Sequence, residues 1–184
     1  MEHYYKSIQG WFEDGPVHRD AIRKYDNAHF VEVGCWRGRS TSFLGVEIIN
    51  SGKKIVLDVV DTFAGSAEHA GVDGTELFDS FIKNIEPIRS VMGTVHRNYS
   101  LEASKFYSDR SLDFVFIDAS HDYANVVADI EAWYPKVRIG GMLSGDDFCP
   151  GHWDGVVRAA YDFSQIGKKT LCIQGQHWYV TKVA

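Results

Sequence analysis

Short apolar runs alternate with segments of helical periodicity along most of the chain, and this alternation constrains the fold more than any other feature. The run at 112–118 is nearly all apolar, which is typical of a parallel strand covered on both faces. Two last runs around Gly175 predict a hairpin. The pattern predicts a doubly wound α/β sheet of seven strands, with helices on both faces and a C-terminal antiparallel β-hairpin. The predicted strands are 29–34, 54–61, 91–98, 112–118, 141–146, 169–174 and 177–183, and the predicted helices are 40–50, 75–85, 100–107, 123–134 and 155–163.

The length of 184 residues predicts a single domain over 1–184. Residues 29–184 form its core, and residues 1–28 precede the first strand as a helical or capping segment. The aromatic residues of that segment either cover part of a cleft or pack on the edge of the sheet, and the sequence leaves both open. They are Tyr4, Tyr5, Trp11 and Phe12.

Charge and cysteine usage exclude several classes of partner. The net charge is −6 and no long run of Lys or Arg occurs, so we expect no nucleic-acid partner. No apolar stretch is long enough to span a bilayer, so we expect no membrane partner. The three widely spaced cysteines favour a reducing compartment, and we expect a cytoplasmic protein. The sequence leaves open whether the protein forms a homo-oligomer.

The end of the first strand is the first candidate site, because ligands of doubly wound sheets bind beyond the carboxyl ends of the strands. Glu32 is followed there by Gly34, Gly38 and a helix start. The glycines allow a sharp turn and a close approach to a ligand, and the helix offers unpaired N–H groups. The spacing lacks the Gly-x-Gly-x-x-Gly fingerprint. A tight turn without any ligand is the alternative.

Asp61 ends the second strand, where a carboxylate can accept hydrogen bonds from both hydroxyls of a ribose. The alternative is a turn or helix-capping aspartate. Asp58 is a competing candidate, but it lies inside the apolar run. The loop after Asp61 contains Gly65, Gly71 and Gly74, which favour mobility.

Three carboxylates follow the fourth and fifth strands, at Asp118, Asp146 and Asp147. Like charges at one edge repel each other unless a cation neutralises them, and oxygen ligands select a hard divalent ion such as Mg²⁺ or Mn²⁺. The alternative is that these residues cap helices and turns.

His121 and His152 lie in the loops that border this edge. A histidine titrates near neutral pH, so His121 is a candidate general base, and His152 is a weaker one. The other histidines are interpreted as structural or surface residues: His3, His18, His29, His69, His96 and His177.

At this point the sequence resembles the class I S-adenosylmethionine-dependent methyltransferases, and within them the metal-dependent small-molecule and sugar O-methyltransferases. The resemblance runs over about residues 29–183 and depends on the order of its motifs rather than on any single one. The motifs lie at 31–38, 60–63, 116–123, 140–147 and 155–157.

The resemblance implies a Rossmann-like sheet, S-adenosylmethionine as cofactor and a divalent metal. The residues implied for the cofactor are Glu32, Gly34, Trp36 and Gly38 at the methionine moiety, Asp61 at the ribose, and Phe63, Asn98, Tyr99 and Ser100 around the adenine, with Asp118 also in contact. The implied metal ligands are Asp118, Asp146 and Asp147. The implied catalytic residues are Asp118, His121 and His152.

One departure from the family pattern concerns the base. Some sugar methyltransferases of this type have a second aspartate two residues after the first, and here that position is Ser120. His121, His152 and a metal-bound alkoxide without a strong base all remain open.

The leading hypothesis is a metal-assisted O-methyltransferase that acts on a sugar or glycan hydroxyl. A catechol-like phenol is the nearest alternative acceptor, and a cofactor-binding module without turnover is the second. A nicotinamide-dependent oxidoreductase is a further class, but the spacing of the glycines and the final hairpin disfavour it.

Overall fold

The computed structural model describes residues 1–65 and 73–184, so the interpretations of His69 and Gly71 concern residues outside these ranges. The predicted seven-stranded sheet is confirmed. Its strands are β1 (Ala28–Val33), β2 (Ile55–Asp61), β3 (Met92–Arg97), β4 (Leu112–Ile117), β5 (Val137–Gly145), β6 (Cys172–Gln174) and β7 (His177–Thr181). They lie in the order β3-β2-β1-β4-β5-β7-β6. β7 runs antiparallel to both of its neighbours, β5 and β6, and it forms the predicted hairpin with β6.

Six α-helices and three short 3₁₀ turns accompany the strands in the described residues. The helices are α1 (Pro16–Lys24), α2 (Arg39–Ser51), α3 (Gly74–Ile85), α4 (Ser100–Ser104), α5 (Tyr123–Trp133) and α6 (Asp154–Gln165). Asp73 caps α3 by accepting hydrogen bonds from the N–H groups of Thr75 and Glu76. No described helix combines the length and the apolar character needed to cross a bilayer.

Side chains that alternate along each strand enter two separate apolar cores. One core contains Phe30 and Phe114 of the sheet and is covered by α1, α2 and α3. The other contains Val31 and Val115 and is covered by α4, α5 and α6. This arrangement confirms that helices cover both faces of the sheet.

The structure differs from the predicted boundaries mainly at β5. The strand begins at Val137 rather than at 141. A bulge in its pairing with β4 separates this additional first part from the predicted part. Leu112 pairs with Val137, whereas Phe114 pairs with Met142, and Gly140 inside the bulge has φ +80°. The sequence analysis missed this first part because the two glycines at 140 and 141 interrupt the apolar run. The strand β6, at the edge of the sheet, is shorter than the predicted strand 169–174.

The chain order reverses between β1 and β4, and backbone hydrogen bonds continue beyond the ends of the strands there. The N–H of Asp118 donates to Val33 O over 2.7 Å, and the N–H of Gly34 donates to Val60 O over 2.8 Å. The N–H of Asp146 donates to Ile117 O over 3.0 Å. The residues that follow β1, β4 and β5 are therefore held rigidly at one edge of the sheet.

Candidate active site

A cavity of about 660 Å³ opens at this edge. Most of the residues predicted for the site line it, and Glu32, Gly38, Phe63 and Tyr99 do not. The lining residues that were predicted are Gly34, Trp36, Asp61, Asn98, Ser100, Asp118, His121, Asp146, Asp147 and His152. The cavity therefore lies at the carboxyl ends of the strands, the edge that the sequence analysis singled out.

Gly34 is required by the backbone of the neighbouring strand. A Cβ atom at this position would lie 1.9 Å from the carbonyl oxygen of Asp118, and φ is +84°. Gly38 serves helix packing, because a Cβ there would crowd Phe81 and Ile85 of α3 at 3.1–3.2 Å. Both glycines thus have structural reasons to be present, whether or not a ligand is bound.

Asp61 holds the loop that follows β1. Its Oδ2 accepts hydrogen bonds from the N–H groups of Cys35 and Trp36, each over 2.9 Å, and its Oδ1 accepts one from the N–H of Phe63 over 2.7 Å. Each carboxylate oxygen has two lone pairs, so these bonds leave room for a ligand hydroxyl. The sequence analysis missed this role, which follows from the parallel pairing of β1 with β2.

Glu32 is fully buried beneath the same loop. The hydroxyl of Thr41 donates to its Oε2, while its Oε1 has no hydrogen-bond partner among the described residues. Burial raises the pKa of Glu32 to about 7. A buried carboxyl oxygen without a partner is costly, and it indicates a site where a bound polar group would complete the structure.

Phe63 was placed beside the adenine, and the structure corrects this. Its ring is completely buried and packs against Phe78 and Phe81, with centroids 5.0 Å away in both cases. The residue has φ +51°, which turns the chain so that the side chain enters the core under α3. A position directly after a strand does not show which way the side chain points.

Asn98 and Ser100 line the cavity on the side of β3. The N–H of Asn98 donates to Asp61 O over 3.0 Å and extends the sheet. The hydroxyl of Ser100 donates to Asp129 and accepts from Trp133 Nε1, over 2.9 Å in the latter case, so it fixes α4 to α5. Tyr99 between them is 72% exposed and does not line the cavity.

The three carboxylates predicted to hold a metal lie on one wall of the cavity. Burial raises the pKa of Asp118 well above its usual value, and the charges of Asp146 and Asp147 raise it further. Burial, with a contribution from Asp147, raises the pKa of Asp146 to about 7. No group of three or more His, Cys, Asp or Glu in the described ranges has the geometry of a metal site.

His121 is paired with one of these carboxylates. Its Nε2 lies 2.8 Å from Asp147 Oδ2, and its ring stacks on Trp153 with centroids 3.8 Å apart. Asp147 has φ +60°, a strained conformation for a non-glycine residue that is common at functional sites. His152 packs edge-on against Trp153, with ring centroids 4.5 Å apart, and is more exposed than His121.

Ser120 occupies the position where the family pattern has a second aspartate. Its hydroxyl accepts hydrogen bonds from the N–H of Asp122 over 3.4 Å and from Asn125 Nδ2 over 3.1 Å. It therefore stabilises the start of α5.

Among the histidines interpreted as structural or surface residues, His177 is closer to the site than expected. It is buried, and its Nε2 lies 3.5 Å from Asp146 Oδ1. The pairing of Gly145 with Trp178 places His177 beside Asp146, and only the register of β5 with β7 could have indicated this. Burial lowers the pKa of His177 to about 4.

The competing ribose candidate, Asp58, is engaged away from the cavity. It accepts hydrogen bonds from the Tyr107 hydroxyl over 2.7 Å and from the N–H of Thr94 over 2.6 Å, and it contacts His29 at 2.8 Å. Asp58 therefore anchors β1, β2 and β3 to each other.

A family model described as a methyltransferase domain matches residues 31–148, which is more than half of the chain. A curated relative, the uncharacterized protein y4gI of Sinorhizobium fredii (strain NBRC 101917 / NGR234), is 25% identical over 135 residues. That match covers 73% of this chain, which spans only 15% of the length of the relative.

Two solved structures illustrate the similarity of fold. CalS11, a TDP-rhamnose 3'-O-methyltransferase of calicheamicin biosynthesis, has a TM-score of 0.59 at 16% identity over 90% of this chain and 77% of its own. MycE of the mycinamycin pathway, in complex with Mg and S-adenosylhomocysteine, has a TM-score of 0.56 at 16% identity over 91% of this chain and 49% of its own. The family match confirms the resemblance inferred from the ordered motifs: the chain belongs to the methyltransferase domain family, in the class that uses S-adenosylmethionine.

Proposed function

We propose that this domain transfers a methyl group from S-adenosylmethionine to a hydroxyl oxygen of a sugar or glycan. One observation carries the proposal: the loop after β1 and the pair His121–Asp147 line the same cavity. A cofactor on the first and an acceptor beside the second would meet inside one enclosed space, which is the arrangement that direct transfer requires.

The cofactor half of the proposal is supported by polar atoms whose arrangement suits a bound nucleoside. Asp61 lines the cavity at the end of β2, and its Oδ1, which accepts one hydrogen bond, has a second lone pair for a ribose hydroxyl. Glu32 does not line the cavity, but its Oε1 is buried without a partner beneath the same loop, and a polar group that reached below the loop from the methionine end would satisfy it.

The acceptor half is supported by the pair formed by His121 and Asp147. The acceptor oxygen attacks the methyl carbon, the C–O bond forms, and the C–S bond breaks with its electrons left on sulfur. The hydroxyl proton goes to His121. Asp147 stabilises the imidazolium that results, and Trp153 fixes the plane of the ring.

The proposal also includes a divalent metal bound by the three carboxylates of the β4–β5 side. Asp118, Asp146 and Asp147 are oxygen donors whose mutual repulsion a cation would relieve, and the MycE structure contains Mg. A bound metal would lower the pKa of the acceptor hydroxyl. In the structure, Asp147 instead contacts His121, so a metal and the histidine compete for this carboxylate.

The test is the transfer of labelled methyl groups to a panel of glycosides, nucleotide sugars and catechols, with added Mn²⁺ or with EDTA. Transfer to glycosides is the expected result. A metal role predicts that EDTA and the double variant Asp146→Asn, Asp147→Asn abolish transfer, while Asp79→Asn, an exposed change on α3, leaves it intact.

Three other outcomes would revise the proposal. Transfer that resists EDTA would remove the metal and leave the histidine pair. Transfer to catechols alone would favour the phenolic acceptor. Cofactor binding without transfer to any acceptor would favour a binding module. That alternative is supported by Ser120, which stands where some sugar methyltransferases have an aspartate that acts as the base.

A further inference from the structure

The N-terminal segment contributes a wall of the cavity, which is one of the two alternatives that the sequence left open for its aromatic residues. Gly10, Trp11 and Phe12 line it. Arg39, the first residue of α2, holds this wall by donating to Phe12 O over 2.6 Å and to Ile8 O over 3.1 Å. The wall is therefore tied directly to the helix that follows the proposed cofactor loop.

Packing adds to this anchorage. Phe12 is buried against Tyr5 and Phe43, with ring centroids 5.9 Å and 5.2 Å away. The amino group and carbonyl of Met1 are both bonded to the side chain of Asn50 on α2. The segment is thus held along its length, and residues 10–12 have a defined position at the cavity.

Trp11 differs from its neighbours because it is 71% exposed, whereas Phe12 is 7% exposed. Its ring lies 6.3 Å from that of Trp36, which belongs to the cofactor loop, and the two planes are tilted by 43°. Because Trp11 also lines the cavity, its anchored indole presents a flat apolar face to whatever the cavity binds. Indole faces bind the apolar faces of flat or ring-shaped ligands.

The charge of the cavity restricts which ligand this surface suits. The carboxylates of Asp61, Asp118, Asp146 and Asp147 line it, and Arg39 is the only Lys or Arg among the described lining residues. Arg39 is already bonded to Glu13 and to two carbonyl oxygens. The sequence of 66–72 contains no Lys or Arg. A diphosphate would add negative charge to a cavity whose described lining has four carboxylates and no unengaged Lys or Arg to bind it.

We propose that Trp11 is a stacking platform for an uncharged sugar ring, so that the acceptor is a glycoside rather than a sugar carried on a nucleoside diphosphate. This proposal rests on the proposed function and narrows its acceptor. It also distinguishes this chain from CalS11, which is described as acting on TDP-rhamnose.

The experiment measures binding without turnover, by saturation-transfer NMR on the protein loaded with S-adenosylhomocysteine. Matched probes are methyl rhamnoside with TDP-rhamnose, and methyl glucoside with UDP-glucose. We expect at least one glycoside to bind more tightly than its nucleotide-linked partner. Trp11→Ala should weaken that binding roughly tenfold, and Trp11→Phe should restore most of it.

Two controls separate a binding role from a structural one. Tyr161→Ala removes an aromatic residue of α6 that is 56% exposed and lies outside the cavity, and it should leave binding unchanged. Trp11→Ala should leave the melting temperature and the affinity for S-adenosylhomocysteine unchanged.

Three results would overturn the proposal: no glycoside binds, the nucleotide sugars bind as well or better, or Trp11→Ala binds glycosides like the wild type. Failure of the proposed function is distinguishable, because it would appear as glycoside binding that depends on Trp11 without any methyl transfer.

Discussion

The two halves of the cavity are built differently. On the β1–β2 side, one carboxylate, Asp61, accepts three backbone hydrogen bonds that fix a glycine-rich loop, and one lone pair of its Oδ1 is left for a ligand. On the β4–β5 side, the carboxylates crowd each other, and the pKa of Asp118 and that of Asp146 are raised. The first half is preorganised before any ligand arrives, while the second half retains repulsion that a proton, a cation or His121 must relieve.

The largest expected effect falls on the β4–β5 side. His121→Phe keeps a ring that can stack on Trp153 but removes the proton acceptor, so we expect kcat to fall by about 10²–10⁴-fold. The affinity for S-adenosylhomocysteine should change little, because the proposal assigns the cofactor to the loop after β1 and the acceptor proton to His121. His152→Ala is the control, with a smaller loss. Activity of His121→Phe within a few-fold of the wild type would show that the pair with Asp147 is not the base.

The second prediction concerns Phe63, which follows β2 and belongs to the core rather than to the cavity. Phe63→Ala should lower the free energy of unfolding by about 3–5 kcal/mol, because it empties a site between Phe78 and Phe81. Tyr99→Ala, at an exposed ring, should change it by less than about 0.5 kcal/mol. Urea unfolding measures both.

Phe63→Leu keeps most of the core volume and permits a binding measurement. Its affinity for S-adenosylhomocysteine should match that of the wild type. A large loss of affinity in this variant would return Phe63 to the adenine site.

The third prediction uses the pKa of Glu32, which is about 7 in the folded protein and near 4.5 in the unfolded chain. Between these values the folded state retains a proton that the unfolded state has released. The free energy of unfolding therefore falls as the pH rises through this window and levels off above it. The total loss amounts to about 3 kcal/mol at most.

Glu32→Gln should remove that loss. Its stability relative to the wild type should rise between about pH 5 and pH 8 in urea titrations, while the exposed Glu102→Gln gives a constant difference. A constant difference for Glu32→Gln would show that Glu32 titrates normally.

What the sequence could predict follows from which interactions are local. The nearly all-apolar run of β4 and the spacing of the helices predicted the sheet, and the carboxyl ends of its strands predicted the edge where Asp61 and Asp118 lie. The approach of His177 to Asp146 depends on the register of two strands that are distant in sequence. The wall around Trp11 depends on hydrogen bonds from Arg39 to backbone oxygens, which leave no periodic signal.

The most direct test of the central claim is calorimetric titration of S-adenosylhomocysteine into the wild type and into Asp61→Ala, with Asp79→Asn as the matched control. The account predicts saturable heat for the wild type and the control, and binding weakened by about 1–3 kcal/mol in Asp61→Ala, because the loop after β1 loses its anchor and the ligand loses an acceptor. No heat with the wild type, or equal affinity in Asp61→Ala, would contradict the claim that the ends of β1 and β2 hold the cofactor.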